Sequence, residues 1–163
     1  IQRRVGRNYK HFGCIKFRTM RVDAEETLSK VLSNSPSMKR EFERDFKLRK
    51  DPRVTTIGRF LRRSSLDELP QFVNVLKGEM SVVGPRPIVS KELPKYGVFM
   101  DEIASVRPGL TGLWQVSGRN NLSYSKRVQL DLLYARERSF LLDLEIILLT
   151  FGVLLLPMDR GAY

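Results

Sequence analysis

The sequence has very few of the residues that build disulfide frameworks and zinc sites. It contains one cysteine, Cys14, and one histidine, His11. One cysteine forms no disulfide within the chain, and this pair falls short of the four ligands that a structural zinc site takes. We therefore interpret both as ordinary strand residues. The lack of a disulfide framework is consistent with a reducing, cytoplasmic setting.

The sequence also lacks a signal-peptide pattern and an uncharged apolar run of the roughly 18 residues that a spanning helix takes. Its most apolar segment, residues 140–156, is interrupted by Asp143, Glu145 and Thr150. This segment is too short and too acidic to span a membrane comfortably. We expect either a buried core helix or a helix that lies in a membrane interface.

Positive charge is concentrated in the first part of the chain. Residues 1–66 contain 18 Lys and Arg against 7 Asp and Glu, whereas residues 67–163 contain 11 of each kind. The whole net charge of +11 therefore lies before Asp67. Such a charge faces phosphate on nucleic acid, on an anionic membrane surface or on a small molecule. Composition alone does not choose among these partners.

The residue pattern predicts an α+β fold that is mostly helical and begins with a short β-hairpin. With 163 residues, of which 42% are hydrophobic, the chain is expected to form one domain, 1–163. The turn-prone segment 6–10 predicts that residues 2–20 form two strands. Apolar spacing and capping residues predict helices over 23–33, after Pro36, and over 57–63, 71–76 and 124–138.

Several basic residues have two interpretations from pattern alone. Alternation along the second strand places Lys16 and Arg18 on one face, which is either solvated or directed into a site. The turn 84–87 holds Arg86 between two prolines that fix the backbone, so it is either a structural corner or a rigid mount for a cation. Residues 107–120 read as a long glycine-rich loop around the only tryptophan, and such loops are usually functional.

Residues 61–70 combine two arginines, two serines and the adjacent carboxylates Asp67 and Glu68. Ser65 and Glu68 have the spacing of a capping box, so a capped helix start is the ordinary interpretation. Pro70 argues against this interpretation, because it has no N–H and would leave a carbonyl unpaired inside a helix that began at Ser65. Proline is tolerated at the first helical position, so the helix could begin at Pro70 instead. In both cases the carboxylates lie at the positive end of a helix, which also favours phosphate.

Carboxylates beside arginines are consistent with phosphoryl transfer. The signature loops of nucleotide-binding proteins and the nucleophile motif of serine hydrolases are absent from the sequence. In phosphoryl transfer one carboxylate can attack phosphorus while its neighbour holds a hard divalent cation. Guanidinium groups then neutralise the phosphate oxygens.

Four strings in the sequence resemble the bacterial sugar transferase family, the monotopic phosphoglycosyl transferases. They are Lys-Phe-Arg-Thr-Met at 16–20, Arg-Arg-Ser-Ser-Leu-Asp-Glu-Leu-Pro-Gln at 62–71, Gly-Pro-Arg-Pro at 84–87 and Arg-Pro-Gly-Leu-Thr-Gly at 107–112. The resemblance implies transfer of a sugar-1-phosphate from a nucleoside-diphosphate sugar, a UDP-sugar, to polyprenyl (undecaprenyl) phosphate. This reaction would initiate exopolysaccharide, capsule or O-antigen assembly at the cytoplasmic face of the bacterial inner membrane.

The resemblance also implies roles for individual residues. Asp67 matches the nucleophile that becomes a covalent phosphosugar adduct, and Glu68 matches the carboxylate that binds Mg²⁺. Asp131 matches an acidic residue that borders the site, and its ordinary interpretation is an ion pair with Arg127 one turn earlier. The residues implied to contact phosphate or substrate are Lys16, Arg18, Arg62, Pro85, Arg86, Pro87, Gln115 and Arg119.

Family members carry a hydrophobic helix that enters and leaves one membrane leaflet, just before the strand matched here by 2–6. Since the sequence does not contain it, we expect a shortened chain. The basic first half would then attract anionic lipids, and the C-terminal helices would lie at the membrane interface. Two alternatives are a basic nucleic-acid-binding domain without catalysis and an inactive membrane-surface scaffold. The resemblance argues against nucleic acid as a partner.

Overall fold

The computed structural model describes residues 1–48, 50–118 and 121–155. These residues are mostly helical, with a short N-terminal antiparallel strand pair, which confirms the predicted α+β class. Contacts divide the chain into two compact units. The first unit contains the described residues of 1–16 and 68–155, and the second contains those of 17–67. This division does not test the predicted single domain, 1–163, which stays a prediction.

An antiparallel hairpin opens the first unit. Strands β1 (Gln2–Val5) and β2 (His11–Cys14) pair with Gln2 opposite Cys14. Asn8 lies in the short 3-10 helix that connects them and has a φ of 52°, a left-handed conformation that asparagine tolerates. The predicted hairpin is therefore confirmed, and both Cys14 and His11 are strand residues.

The second strand is shorter than predicted. It ends at Cys14, where the buried side chain of Asn74 binds the backbone on both sides of that residue. The Ile15 N–H donates to Asn74 Oδ1 at 3.0 Å, and Asn74 Nδ2 donates to the Gly13 carbonyl at 2.9 Å. The expected alternation of Lys16 and Arg18 along one strand face is therefore wrong.

Three helices make up most of the second unit, and all were predicted. They are α1 (Ala24–Asn34), α2 (Pro36–Asp45) and α3 (Thr56–Arg63). Ser35 caps α2 by accepting from the Met38 N–H, and Thr55 caps α3 by accepting from the Gly58 N–H at 2.9 Å. Proline at the first position of α2 fits because that N–H has no helical partner.

The stretch around the two carboxylates differs from both helical predictions. Ser65 has a φ of 57°, which is left-handed, whereas the first residue of a capping box is extended. Residues Leu66–Gln71 form a 3-10 helix that contains Pro70, and only then does α4 (Phe72–Leu76) begin. With five residues, α4 is too short to act as the helix end that was expected to favour phosphate.

A parallel strand pair lies within the first unit. Strands β3 (Ser81–Val83) and β4 (Gly109–Thr111) pair with Ser81 opposite Gly109. The predicted long loop over 107–120 is therefore wrong for residues 107–118, which contain β4 and a short helix, whereas residues 119 and 120 lie outside the described residues. The remaining helices are α5 (Leu93–Tyr96), α6 (Met100–Ala104), α7 (Leu113–Ser117), α8 (Tyr124–Glu137) and α9 (Phe140–Leu155).

Helix α9 is neither wholly buried nor wholly exposed. Ile146 is 0% exposed and packs with Val83 and Tyr134, whereas Phe140 is 80% and Leu148 is 63% exposed. Among the described residues, no helix has both the length and the apolar character needed to cross a membrane. Residue 156, the last of the predicted apolar segment, lies outside the described residues.

Candidate active site

Asp67 and Glu68 are consecutive residues of the 3-10 helix but have different surroundings. Successive side chains of a 3-10 helix point about a third of a turn apart. Asp67 is 6% exposed, and its carbonyl accepts a hydrogen bond from the Phe17 N–H at 3.0 Å. The Glu68 side chain is 45% exposed. One carboxylate is therefore enclosed by protein, while the other is open to ions.

Glu68 forms an ion pair with Lys16 within the first unit. The distance between Lys16 Nζ and Glu68 Oε1 is 3.4 Å, and the lysine side chain is 27% exposed. Solvent screens such a pair, so it is worth at most about 1 kcal/mol. A divalent cation can therefore replace or join the ammonium group at Glu68.

The residues around Glu68 can supply part of the ligand set of a Mg²⁺ ion. Across the described parts of the chain, no cluster of three or more His, Cys, Asp or Glu side chains could hold a metal ion. An all-protein metal cage is thus not present there. Mg²⁺, however, commonly binds through one or two carboxylates, waters and substrate phosphates. Glu68 fits as the protein ligand of a cation that arrives with a diphosphate.

Arg62 is fixed by a buried threonine within the second unit. Its Nε donates to Thr19 Oγ1 at 3.0 Å, and Thr19 is 5% exposed. The Thr19 backbone passes so close to α3 that a Cβ at Gly58 would overlap it. Glycine at this position therefore lets the 17–20 segment approach the helix that carries Arg62. Arg18, in the same unit, is exposed.

Arg86 lies in the turn that follows β3, between the buried residues Pro85 and Pro87. Its guanidinium lies over the ring of Trp114, with Cζ at 5.9 Å from the ring centroid. Arg127 of α8 lies over the same ring at 5.2 Å. Cation–π contacts of this kind contribute about 0.5–2 kcal/mol and orient the planar guanidinium groups.

Asp131 of α8 supports this turn from inside the core. It is 1% exposed, and its carboxylate accepts hydrogen bonds from the Tyr96 hydroxyl at 3.1 Å and from the Arg86 backbone N–H. Burial raises the pKa of Asp131 to about 8, and these hydrogen bonds counteract only part of that effect. The predicted catalytic role of Asp131 stays a prediction; its contacts hold the backbone of Arg86.

Arg4 is a site residue that the sequence pattern did not reveal. It is 8% exposed, and its Nη1 donates to the carbonyl of Pro87 at 3.0 Å. Burial lowers the pKa of Arg4, and the nearby charge of Arg86 lowers it further. Nothing in the local sequence distinguishes Arg4 from Arg3, because its importance comes from a contact across the fold. Tyr96 was missed for the same reason.

Gln115 lies in α7 beside Trp114. Its Oε1 is buried and, among the described residues, has no hydrogen-bond partner, and the same holds for Trp114 Nε1. Buried polar atoms of this kind usually pair with a ligand or water. Arg119, which was predicted to contact substrate, lies outside the described residues.

Several predicted site residues of the first unit lie close enough to the buried Cys14 thiol to act on it electrostatically. Burial raises the pKa of the Cys14 thiol, and four charges also act on it: those of Arg4, Lys16, Glu68 and Arg86. Pro85, Pro87 and Asp131 shape and support the Arg86 turn. The second unit contains Asp67, Arg62 and Arg18. Each unit therefore contributes predicted phosphate-binding residues.

Comparison with known proteins finds relatives that match almost the whole chain, and three of them illustrate the similarity. The chain is 54% identical over 160 residues, 98% of its length, to an uncharacterized sugar transferase of Haemophilus influenzae, of which it covers 34%. It is 51% identical over 160 residues to the undecaprenyl-phosphate galactose phosphotransferase of Salmonella typhimurium and 50% identical over 160 residues to the UDP-galactose-lipid carrier transferase of Erwinia amylovora. Each of these two matches covers 98% of this chain and 33% of the relative.

The chain thus spans about a third of the length of these curated relatives. The family model described as bacterial sugar transferase matches residues 1–157, and this range includes all four sequence strings that resemble the family. The resemblance is therefore confirmed. With almost the whole chain matched, the protein belongs to the bacterial sugar transferase family.

Proposed function

We propose that this chain is the catalytic domain of a phosphoglycosyl transferase that moves a sugar-1-phosphate from a UDP-sugar to undecaprenyl phosphate. The names of the relatives support the reaction class, since they include an undecaprenyl-phosphate galactose phosphotransferase and a UDP-galactose-lipid carrier transferase. The observation that carries the proposal is the contrast between the buried Asp67 and the open Glu68 in one 3-10 helix.

In this proposal Asp67 is the nucleophile. A carboxylate oxygen of Asp67 attacks the phosphorus next to the sugar, forming an aspartyl-phosphosugar while the bond to the nucleoside monophosphate breaks. A phosphate oxygen of the polyprenyl phosphate then attacks the same phosphorus, and the carboxylate leaves. The product is a polyprenyl diphosphate sugar, and the enzyme returns to its starting state. Splitting the transfer in this way is covalent catalysis.

The main electrostatic difficulty of this step is that a carboxylate must approach a diphosphate, and bound cations would offset that repulsion. Glu68 would hold Mg²⁺, which when bound neutralises charge on the phosphate oxygens. Lys16, Arg62 and Arg86 would supply further positive charge, and positioning with neutralisation is most of what phosphoryl transfer requires. Further substrate contacts are expected from Arg18, Pro85, Pro87, Gln115 and Arg119.

We also propose that the domain works at the cytoplasmic face of the bacterial inner membrane and contacts its anionic lipids. Two features support this location. The excess positive charge lies in residues 1–66, and juxtamembrane basic residues are attracted to anionic lipids. Helix α9 and the short α4 expose large apolar side chains, including Leu76 at 87%. Such side chains can insert among lipid head groups.

The nucleophile can be tested by trapping the adduct. The chain is incubated with a radiolabelled UDP-sugar and Mg²⁺ in the absence of polyprenyl phosphate, and labelled protein is then measured by mass spectrometry and autoradiography. We expect label on Asp67 and its complete loss in Asp67→Asn, since an amide is a poor nucleophile. Label that persists in Asp67→Asn would remove the proposed role.

Glu68→Gln is the matched control because it removes the adjacent charge and leaves Asp67 intact. This variant should still form the adduct, but only at a Mg²⁺ concentration raised about tenfold or more, as expected for loss of a carboxylate ligand. An unchanged Mg²⁺ titration would argue against Glu68 as a metal ligand.

Salt-sensitive binding to DNA without any adduct would favour the nucleic-acid-binding alternative. If the parent chain binds lipid vesicles but forms no adduct, the result would favour an inactive membrane-surface scaffold.

A further inference from the structure

The first unit contains a solvent-open groove of about 270 Å³ whose residues have no part in the proposed transfer. It is lined by Ser81, where β3 begins, and by Arg138, which follows the end of α8. Arg86 follows the other end of β3, and Asp131 lies seven residues before Arg138 on the helix, about 10 Å along its axis. Val83, the residue directly before the 84–87 turn, also lines the groove, but Arg86 and the other residues assigned to the transfer do not.

Three arginines from different parts of the chain line this groove. Arg7 comes from the 3-10 helix of the hairpin connection, Arg107 precedes β4, and Arg138 follows α8. Within the described ranges of the chain, none of their guanidinium groups forms a hydrogen bond or an ion pair. Three like charges on one groove repel each other unless an anion lies among them.

The one carboxylate of the groove does not neutralise these arginines. Asp143 of α9 accepts a hydrogen bond from the Tyr134 hydroxyl at 2.7 Å, and that hydroxyl also lies 3.2 Å from the Val83 carbonyl. Tyr134 is 5% exposed and thus holds the carboxylate against the core. The three guanidinium groups and Asp143 together leave the groove with an excess of positive charge.

We propose that this groove is a phosphate-binding site, distinct from the catalytic site, that takes a phosphate monoester or diester. Guanidinium groups bind phosphate oxygens bidentately, and the excess charge of the groove matches the charge of a phosphate. Ser81 and Ser139 also line the groove, and the Ser139 hydroxyl, which accepts from the Leu142 N–H, keeps its own proton for donation. The volume lies near the lower end of the range of small-ligand sites.

The phosphate could be carried by a membrane lipid or be free in solution. The neighbouring side chains favour the lipid. Ser139 and Asp143 line the groove, and the residues between them include Phe140 and Leu141, which are 80% and 75% exposed. An acyl chain beside its own head group would cover such side chains. This inference does not depend on the proposed transfer reaction.

The test compares two double variants of equal charge change. Arg107→Gln/Arg138→Gln removes two groove arginines, whereas Lys77→Gln/Lys91→Gln removes two exposed lysines of the same unit that do not line the groove. Binding to phosphatidylcholine vesicles with and without phosphatidylglycerol is measured by co-sedimentation. We expect the arginine variant to bind the phosphatidylglycerol vesicles about tenfold more weakly than the lysine variant, since a specific site adds to general attraction.

Inorganic phosphate provides the second arm, measured by isothermal titration calorimetry. Saturable phosphate binding that is lost only in the arginine variant supports the site and identifies free phosphate as a ligand. Vesicle binding that is lost selectively, with no phosphate binding, supports the site and identifies the lipid head group. Equal losses in both variants, or binding of neither probe, would overturn the proposal. Circular dichroism of each variant checks that these exposed substitutions leave the fold intact.

Discussion

At the residue scale, Asp131 is the clearest case of an acid placed where its charge is unfavourable. The carboxyl group is buried in the first unit, and burial raises its pKa to about 8. Burial also raises the pKa of its partner Tyr96, and the Asp131 charge adds to this, so the tyrosine remains a hydrogen-bond donor at neutral pH. Both side chains connect α8 and α5 to the turn that carries Arg86. The contacts of Asp131 therefore hold the turn that carries Arg86 in place.

The raised pKa predicts how stability changes with pH. The folded pKa of Asp131 lies above its unfolded value of 3.8, so the folded state binds the additional proton between pH 4 and 8. Stability from this group is present below about pH 4 and is lost as pH rises towards 8. In Asp131→Asn this loss disappears. The variant should gain stability relative to the parent by up to about 1.4 kcal/mol per pH unit over this range.

Urea unfolding at a series of pH values measures the difference between parent and variant. Glu102→Gln is a control of opposite sign, because hydrogen bonds from Arg136 lower the pKa of Glu102. Its contribution is present above the unfolded pKa of 4.5 and is lost as pH falls. Glu102→Gln should therefore lose stability relative to the parent as pH rises towards about 4.5, and the difference should stay constant above that pH. A pH-independent difference for Asp131→Asn would contradict the prediction.

At the element scale, the parallel strand pair depends on close contact between glycine backbones. A Cβ at Gly109 would overlap the backbone nitrogen of Gly84, and a Cβ at Gly112 would overlap the Gly84 carbonyl. Backbone cannot move aside as the end of a side chain can. The glycines of the 84–87 and 107–112 strings therefore bring the start of α7, with Trp114 and Gln115, next to the Arg86 turn.

Alanine substitution tests this packing. Gly109→Ala should destabilise the chain by about 3 kcal/mol or more, because the added methyl group meets backbone that must shift. Gly152→Ala is the matched control, since a Cβ there meets nothing within 4 Å and the position lies inside α9. It should be neutral or stabilising by up to about 1 kcal/mol, as expected from helix propensity. Equal unfolding midpoints in urea for the two variants would contradict this account.

The sequence predicts elements that depend on neighbouring residues and misses those set by distant contacts. Helices α1, α2, α3 and α8 follow from their caps and apolar spacing, so local pattern suffices. The end of β2 depends on Asn74, some sixty residues away. Strand β4 forms by pairing with β3, more than twenty residues earlier, and packs closely against the Gly84 backbone. A capping box also fails to predict the left-handed backbone of Ser65.

The same distinction between local pattern and distant contacts applies to the candidate site. Asp67, Glu68 and Arg86 could be identified from sequence because they lie in short strings that resemble a family. Arg4 and Tyr96 could not, because their roles come from hydrogen bonds to Pro87 and Asp131 across the fold. Family resemblance thus finds residues within motifs, whereas the residues that support those motifs require the structure.

At the scale of the whole molecule, two independent forces are available for membrane contact. The first is electrostatic, because the entire net charge of +11 lies before Asp67. The second is apolar, because α9 exposes residues such as Leu148 and Phe151, at 63% and 58%. Salt screens the electrostatic force, because the Debye length falls from about 10 Å at 0.1 M to about 3 Å at 1 M. The apolar force hardly changes over this range.

Salt can therefore separate these two contributions in vesicle binding. For the parent chain, binding to phosphatidylglycerol vesicles should weaken at least about tenfold between 0.05 and 0.5 M NaCl, as expected for several screened lysines and arginines. Leu148→Gln/Phe151→Gln should weaken binding by a similar factor at both salt concentrations, about tenfold or more, because burying each side chain is worth roughly 1.5–3 kcal/mol.

Val98→Gln is the control for the apolar variant, since Val98 is 86% exposed but lies in the 97–99 segment and not in α9. Its vesicle binding should equal that of the parent at both salt concentrations. If the α9 variant loses binding only at low salt, or if Val98→Gln loses as much, α9 does not insert among the lipids. The exposed apolar side chains of α9 would then require a protein partner to cover them, because large apolar patches mark interaction surfaces.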